Sequence, residues 1–202
     1  MTVPSTTSRG AVSPDPGTPD PGAHWPAGSR TATARAATRR FATGVTVLTC
    51  GRDEGTHGVT VSTLTLASMK PPMVSVALRR DSRGLAALLA SGAFAVNVLA
   101  GRQDPLARHF ARSDRGEGLG RPGRGVWAGH TADGVPLLGG AVGWLRCRVT
   151  RTVPAGDHEL VLALVADARL GTTTEPPLVN FAGDLHRFPP AAPPDDTIRS
   201  RP

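Results

Sequence analysis

The sequence predicts a mainly β domain: an antiparallel barrel, closed or nearly closed, with short helices packed outside it. Three observations predict this. Seven or eight runs are rich in β-branched residues or alternate in polarity. The two longest, 141–153 and 158–170, follow one another through the tight connection 154–157, so they pair antiparallel. Helical stretches are few and short, and short helices beside consecutive strands flank a barrel.

The elements follow in order. Residues 1–30 and 189–202 are rich in Pro, Ser, Thr and Gly and hold eleven of the nineteen prolines. They carry too little apolar surface to offset ordering entropy, so both are expected to be disordered tails around one domain, 31–188. The Ala- and Arg-rich segment 31–41 predicts a short helix that Gly44 ends. The runs 45–50 and 59–68 surround a Gly- and Asp-containing turn and predict a hairpin. Lys70-Pro71-Pro72 breaks it, and 73–78 is the next strand.

After the polar junction 79–84, Ser82 is placed to cap a helix over 85–91, which Gly92 stops. The run 93–100 is a buried strand with one polar residue, Asn97. A second helix is expected at 103–111, with Asp104 as cap and Pro105 in the first turn. Residues 112–125 are Gly- and Arg-rich without aliphatic periodicity, and such long loops are often functional. Strands return at 126–129, 135–138, 141–153, 158–170 and 177–183.

The formal charge is +7, and both tails are balanced, so the excess lies in the domain. A basic domain fits a phosphorylated cofactor or nucleic acid. Lys70 is the only lysine, however, and an Arg, Ala, Gly and Pro bias also arises from base composition alone. Cys50 and Cys147 lie far apart in apolar strand-like runs, so burial is expected of both. No apolar run reaches the roughly 18 residues of a membrane span. With no secretory signal either, the reading is cytoplasmic, without a membrane or nucleic-acid partner.

Phosphate-loop, dinucleotide-fingerprint, zinc and nucleophile-elbow motifs are absent from the sequence, and its six histidines form no metal spacing. Three features remain. The hydroxyl series Thr60, Ser62, Thr63, Thr65 and Ser68 places hydroxyls on both faces of one strand. Either an edge strand tolerates them, or they line a polar groove for a ligand with many acceptors. Arg79, Asp81, Ser82 and Arg83 stand just before a helix, where N–H groups and partial positive charge suit a phosphate. An ordinary capped helix with solvated arginines has the same sequence. His158 follows Asp157 at the turn between the two longest strands. It is a surface turn residue, or it positions a nicotinamide if the turn overlies a pocket.

On these residues the chain resembles the flavin reductase-like, FMN-binding split-barrel family, which includes reductase components of two-component flavin monooxygenases. The likeness runs through 39–49, 57–84, 91–100, 134–149, 155–165 and 177–183, in order and at matching spacing. It implies a six-stranded antiparallel split barrel with short flanking helices, working as a homodimer. It also implies FMN (FAD possible) as the flavin and NADH or NADPH as the reductant. The implied flavin ring and ribityl wall is Val59, Thr60, Val61, Ser62 and Thr63, continued by Thr65 and Ser68. Arg79, Asp81, Ser82 and Arg83 fall in the phosphate region, Asn97 near the ring, and His158 toward the nicotinamide. Gly84 stands where relatives often carry threonine or another polar residue. The implied function is NAD(P)H-dependent flavin reduction for a partner monooxygenase. A non-enzymatic flavin-binding protein on the same barrel is the alternative, and a basic nucleic-acid-binding module the third reading.

Overall fold

The computed structural model describes residues 30–52, 55–114 and 126–189. The expected tails therefore lie outside the described residues, apart from Arg30 and Pro189, and so does most of the 112–125 loop. The chain divides into two units, 1–38 and 39–202. The described part of the first is helix α1 (Arg30–Thr38), somewhat shorter than its predicted span.

The second unit is built on a seven-stranded sheet, in the order β3-β2-β6-β9-β10-β5-β4. Its strands are β2 (Thr46–Cys50), β3 (His57–Val61), β4 (Thr65–Met69), β5 (Pro72–Arg79), β6 (Ala93–Val98), β9 (Gly143–Ala155) and β10 (His158–Leu170). Two smaller sheets complete the fold. One joins β1 (Thr43–Gly44), β11 (Leu178–Phe181) and β12 (Asp184–Arg187); the other pairs β7 (Trp127–His130) with β8 (Pro136–Leu138). Every strand pairing among the described residues is antiparallel. Helices α2 (Arg83–Ser91) and α3 (Asp104–Ala111) complete the set. Gln103, not Asp104, is the N-cap of α3, because a 3-10 turn at Gly101–Gln103 leads into it.

One strand expectation is corrected. The run 59–68 is not a single strand but breaks after Val61 and resumes at Thr65. Its halves lie at opposite ends of the sheet: β3 pairs with β2, and β4 pairs with β5. The sheet thus curls and stays split between β3 and β4. Ser62, Thr63 and Leu64 cross the split.

Two apolar clusters fill the fold. Leu48, Val61, Val74, Val76, Leu88, Phe94, Val96, Cys147 and Val161 pack inside the curled sheet. Val45, Val47, Leu99, Phe110, Leu138 and Leu178 pack on its other side, under α3. Strand β2 serves both, since alternate residues face opposite ways. Cys50 and Cys147 are buried and free, and burial pushes their thiols up to about 11 and about 12.

Candidate functional site

Strand β5 runs through Arg79 into the start of α2. Ser82 has extended backbone (φ −82°, ψ 137°) and caps the helix: its hydroxyl accepts the Leu85 N–H at 3.2 Å and donates to the Arg79 carbonyl at 2.7 Å. Gly84 lets this first turn lie on β3, because a Cβ there would stand 3.1 Å from Cβ of Val59. A larger residue would push the helix away from the strand. The N–H of Gly84 is a first-turn donor without an intrahelical acceptor.

A groove of about 510 Å³ runs along this junction. His57 and Val59 form its β3 side, Arg79, Asp81, Ser82, Arg83 and Gly84 its helix-start side, and Phe110, Arg112 and Ser113 the far side at the end of α3. Arg79 donates through Nε and Nη2 to Asp81 at 3.1 and 2.6 Å. Arg112 donates in the same way to Asp114 at 2.9 and 2.8 Å. That pairing holds the Asp114 carboxyl at about 2, the hydrogen bond from Arg112 being the larger cause. Arg83 reaches across and donates to the Ser113 carbonyl, tying the two helices together.

His158 begins β10 directly opposite Arg79 of β5. Its Nδ1 lies 2.8 Å from Oδ1 of Asp157, and the Asp157 carbonyl accepts the Arg80 N–H at 3.1 Å. The His158 ring holds the Asp157 carboxyl below the usual carboxylate range.

The structure thus brings Val59, Arg79, Asp81, Ser82 and Arg83 to one groove, with His158 on the adjoining strand. The hydroxyl series does not form one continuous wall. Thr60 Oγ1 donates to the Ala107 carbonyl of α3 at 2.7 Å. Thr63 Oγ1 bonds the backbone of Ala77, Thr65 pairs with Ser75 at 2.7 Å, and Ser68 accepts the Lys70 N–H at 3.2 Å. Val61 faces the core. Ser62 sits half-buried in the crossing segment.

Asn97 departs from its expected place beside a ring. It is fully buried, and its Nδ2 donates to Val47 O at 2.9 Å and Thr49 Oγ1 at 3.2 Å. Its Oδ1 accepts the Leu138 N–H at 2.7 Å. A single polar residue in a buried strand must find such partners, and here they brace β2, β6 and β8. His57, Phe110, Arg112 and Ser113 were not read as site residues. The signal for the last two was the Arg-rich start of the 112–125 run.

A second hollow, of about 590 Å³, lies between Arg52, Ser91, Asp133 and Arg148. It suits an anion less. Asp133 in its lining bonds Arg146 at 2.9 Å and stands 3.6 Å from Arg148, much as Asp81 pairs with Arg79 in the first groove, so the helix end decides. Gly92, which lines the hollow, marks the negative C-terminal end of α2.

Comparison with known proteins bears on the same unit. The model of the flavin reductase like domain family matches residues 38–189. A relative named NADPH-flavin oxidoreductase, from Streptomyces viridifaciens, is 39% identical over 145 residues, covering 71% of this chain and 74% of that protein. The reductase component of 4-hydroxyphenylacetate 3-monooxygenase from Thermus thermophilus is 35% identical over 147 residues, covering 73% and 89%. Among solved structures, BorF, the flavin reductase component of a bacterial two-component tryptophan halogenase, superposes with a TM-score of 0.73 at 32% identity, covering 79% of this chain and 98% of that one. With its family match over most of the chain, its split antiparallel sheet and its groove at the start of α2, this protein belongs to the flavin reductase-like domain family.

Proposed function

We propose that this chain is an NAD(P)H-dependent flavin reductase that reduces FMN or FAD and supplies the product to a partner monooxygenase. The carrying observation is the groove at the start of α2, where a capped helix terminus and three arginines face one cavity. That donor set fits the phosphate of a flavin nucleotide: first-turn N–H groups and planar guanidiniums are the usual partners of phosphate oxygens. Relatives bearing the names of FMN and of FAD reductases both occur, and NADH recurs in their names.

Bound flavin supplies the redox chemistry, taking hydride from the reduced nicotinamide. The chain's own residues bind and orient. Arg79 and Arg83 hold the phosphate end together with the first-turn N–H groups that follow the Ser82 cap. Strand β3 is an edge strand, so Thr60, between the ladder-bonded Val59 and Val61, offers backbone groups that β2 does not use, and Ser62 extends that wall. Asp157 holds the His158 ring by Nδ1, and His158 orients the nicotinamide. No side-chain nucleophile is needed, because holding two rings in register is the main task.

A homodimer belongs to this reading. On β10, Val161 and Ala163 face the core, so Leu160, Leu162 and Leu164 face the other way. Met73 and Ala77 of β5 stand beside them in register, and Leu66 and Met69 of the edge strand β4 are 62% and 70% exposed. An apolar sheet face of this kind marks an interaction site, and a second copy of the chain covers it. A cytoplasmic location accompanies the reading, and none of the described helices is long and apolar enough to cross a membrane.

The test is anaerobic mixing of purified protein with NADH or NADPH and FMN or FAD. The expected result is loss of the reduced-nicotinamide and oxidised-flavin absorbances together at catalytic protein concentration. Flavin binding without turnover would leave a carrier and remove the enzyme.

A further inference from the structure

Gly84 is the second residue of α2, and it lines the same groove as Val59 of β3. A Cβ on Gly84 would stand 3.1 Å from Cβ, 3.1 Å from Cγ1 and 3.3 Å from Cγ2 of Val59. Carbon atoms in ordinary contact are about 3.5–4.0 Å apart. Turning the Val59 side chain moves only its two methyls and leaves its Cβ where it is. Relief therefore needs the strand or the helix start to move. Val59 is tied to Leu48 in the β2–β3 ladder. On the helix, Leu85 and Leu88 are buried in the core, but both lie beyond Gly84. The first turn, held by the Ser82 cap alone, is the part that gives.

That cap takes the Leu85 N–H on Ser82 Oγ and the Ala86 N–H on the Ser82 carbonyl, each at 3.2 Å. The Gly84 N–H stands ahead of both and has no intrahelical acceptor. We propose that Gly84 is a positioning residue for the flavin phosphate: lacking a side chain, it seats the first turn of α2 against Val59, at the depth where its own N–H meets a phosphate oxygen. The inference rests on the flavin reading above and adds to it a residue that acts through the close approach it permits. Riboflavin has the same rings and ribityl chain without the phosphate, so only phosphorylated flavins depend on that depth.

The test compares dissociation constants of FMN and riboflavin, read by flavin fluorescence. The proteins are wild type, Gly84→Ala, Gly84→Val, Val59→Gly and the double variant Gly84→Ala/Val59→Gly. Gly44→Ala is the control, because a Cβ there meets nothing within 4 Å. The quantity followed is the riboflavin-to-FMN ratio of Kd, which a general loosening of the fold leaves alone. It falls about threefold in Gly84→Ala and about tenfold in Gly84→Val, the worth of one hydrogen bond to a charged group, while riboflavin affinity holds. Val59→Gly removes every atom the new Cβ would meet, so in that background Gly84→Ala leaves the ratio unchanged. Gly44→Ala changes nothing. An unchanged ratio in both Gly84 variants overturns the proposal, as does a fall of equal size with and without the Val59 side chain. Equal weakening of FMN and riboflavin also overturns it, by making Gly84 a packing residue only, and the flavin reading survives each of these results. No saturable binding of either flavin to the wild type would remove the flavin reading itself, and this role with it.

Discussion

Thr63 Oγ1 donates to the Ala77 carbonyl at 2.8 Å and accepts the Ala77 N–H at 3.2 Å, so one hydroxyl takes the place of a strand partner where the sheet splits. The β4–β5 ladder pairs Thr65 with Ser75, and two positions further the same register sets 63 opposite 77. The backbone has by then left the ladder to cross toward β3, and the side chain completes it. Thr63→Val is expected to lower stability by about 1 kcal/mol, with Thr63→Ser close to wild type. Urea unfolding of the three proteins checks this, and an unaffected valine variant would show the seam closed by other contacts.

Asn97 acts through the core. Asn97→Ala takes the acceptor from the buried Leu138 N–H and a donor from Thr49 Oγ1, at a cost of about 2 kcal/mol. Thermal unfolding is expected to reveal that loss. Flavin affinity of the protein still folded is expected to match wild type, and a selective loss of affinity would return Asn97 to the site.

Much of the fold was legible. Ser82 as cap, Gly92 as stop and the β9–β10 hairpin all follow from local chemistry, and the structure has each of them. The break at Ser62 was not legible, because Thr and Ser suit a continuing strand as well as a crossing, and only closure of the distant β5 decides. Strand β12 was missed, although Phe181-Ala182-Gly183-Asp184 is a turn signal. Ala182 and Gly183 take φ of +56° and +93°, as a two-residue hairpin turn requires. Within the site, the arginine-flanked helix start was readable as sequence. Its meeting with Arg112 and Ser113 depends on α3 folding back over β3, which no local pattern encodes.

The ion pairs give a pH dependence of defined sign. The hydrogen bond from Arg146, with smaller help from Arg148 and Arg52, holds the Asp133 carboxyl below its ordinary 3.8. A depressed carboxylate stabilises fully above its unfolded value and loses that stabilisation as pH falls through the folded value. The stability difference between wild type and Asp133→Asn is therefore expected to be constant near neutrality and to shrink below pH 3.8. Denaturation curves across the acid range test it, and a difference that grows toward acid would reverse the assignment.

His158→Ala is expected to lower kcat/KM for the nicotinamide about tenfold, the equivalent of one hydrogen bond, with flavin affinity retained. Steady-state kinetics beside a flavin titration separate the two. Loss of flavin binding instead would move His158 to the flavin side.

Leu162→Lys places a charge on the outward face of β10, away from the core residues Val161 and Ala163. Light scattering is expected to give a dimer for wild type and a single-chain mass for the variant. A variant that stays dimeric would place the interface elsewhere.

The central claim is that the flavin's phosphate end sits at the start of α2. Titration of FMN, FAD and riboflavin into wild type and into the double variant Arg79→Gln/Arg83→Gln tests it most directly. Both phosphorylated flavins are expected to lose about tenfold or more in affinity, with riboflavin unchanged. Equal affinities in the two proteins, or an equal loss for riboflavin, would contradict the claim.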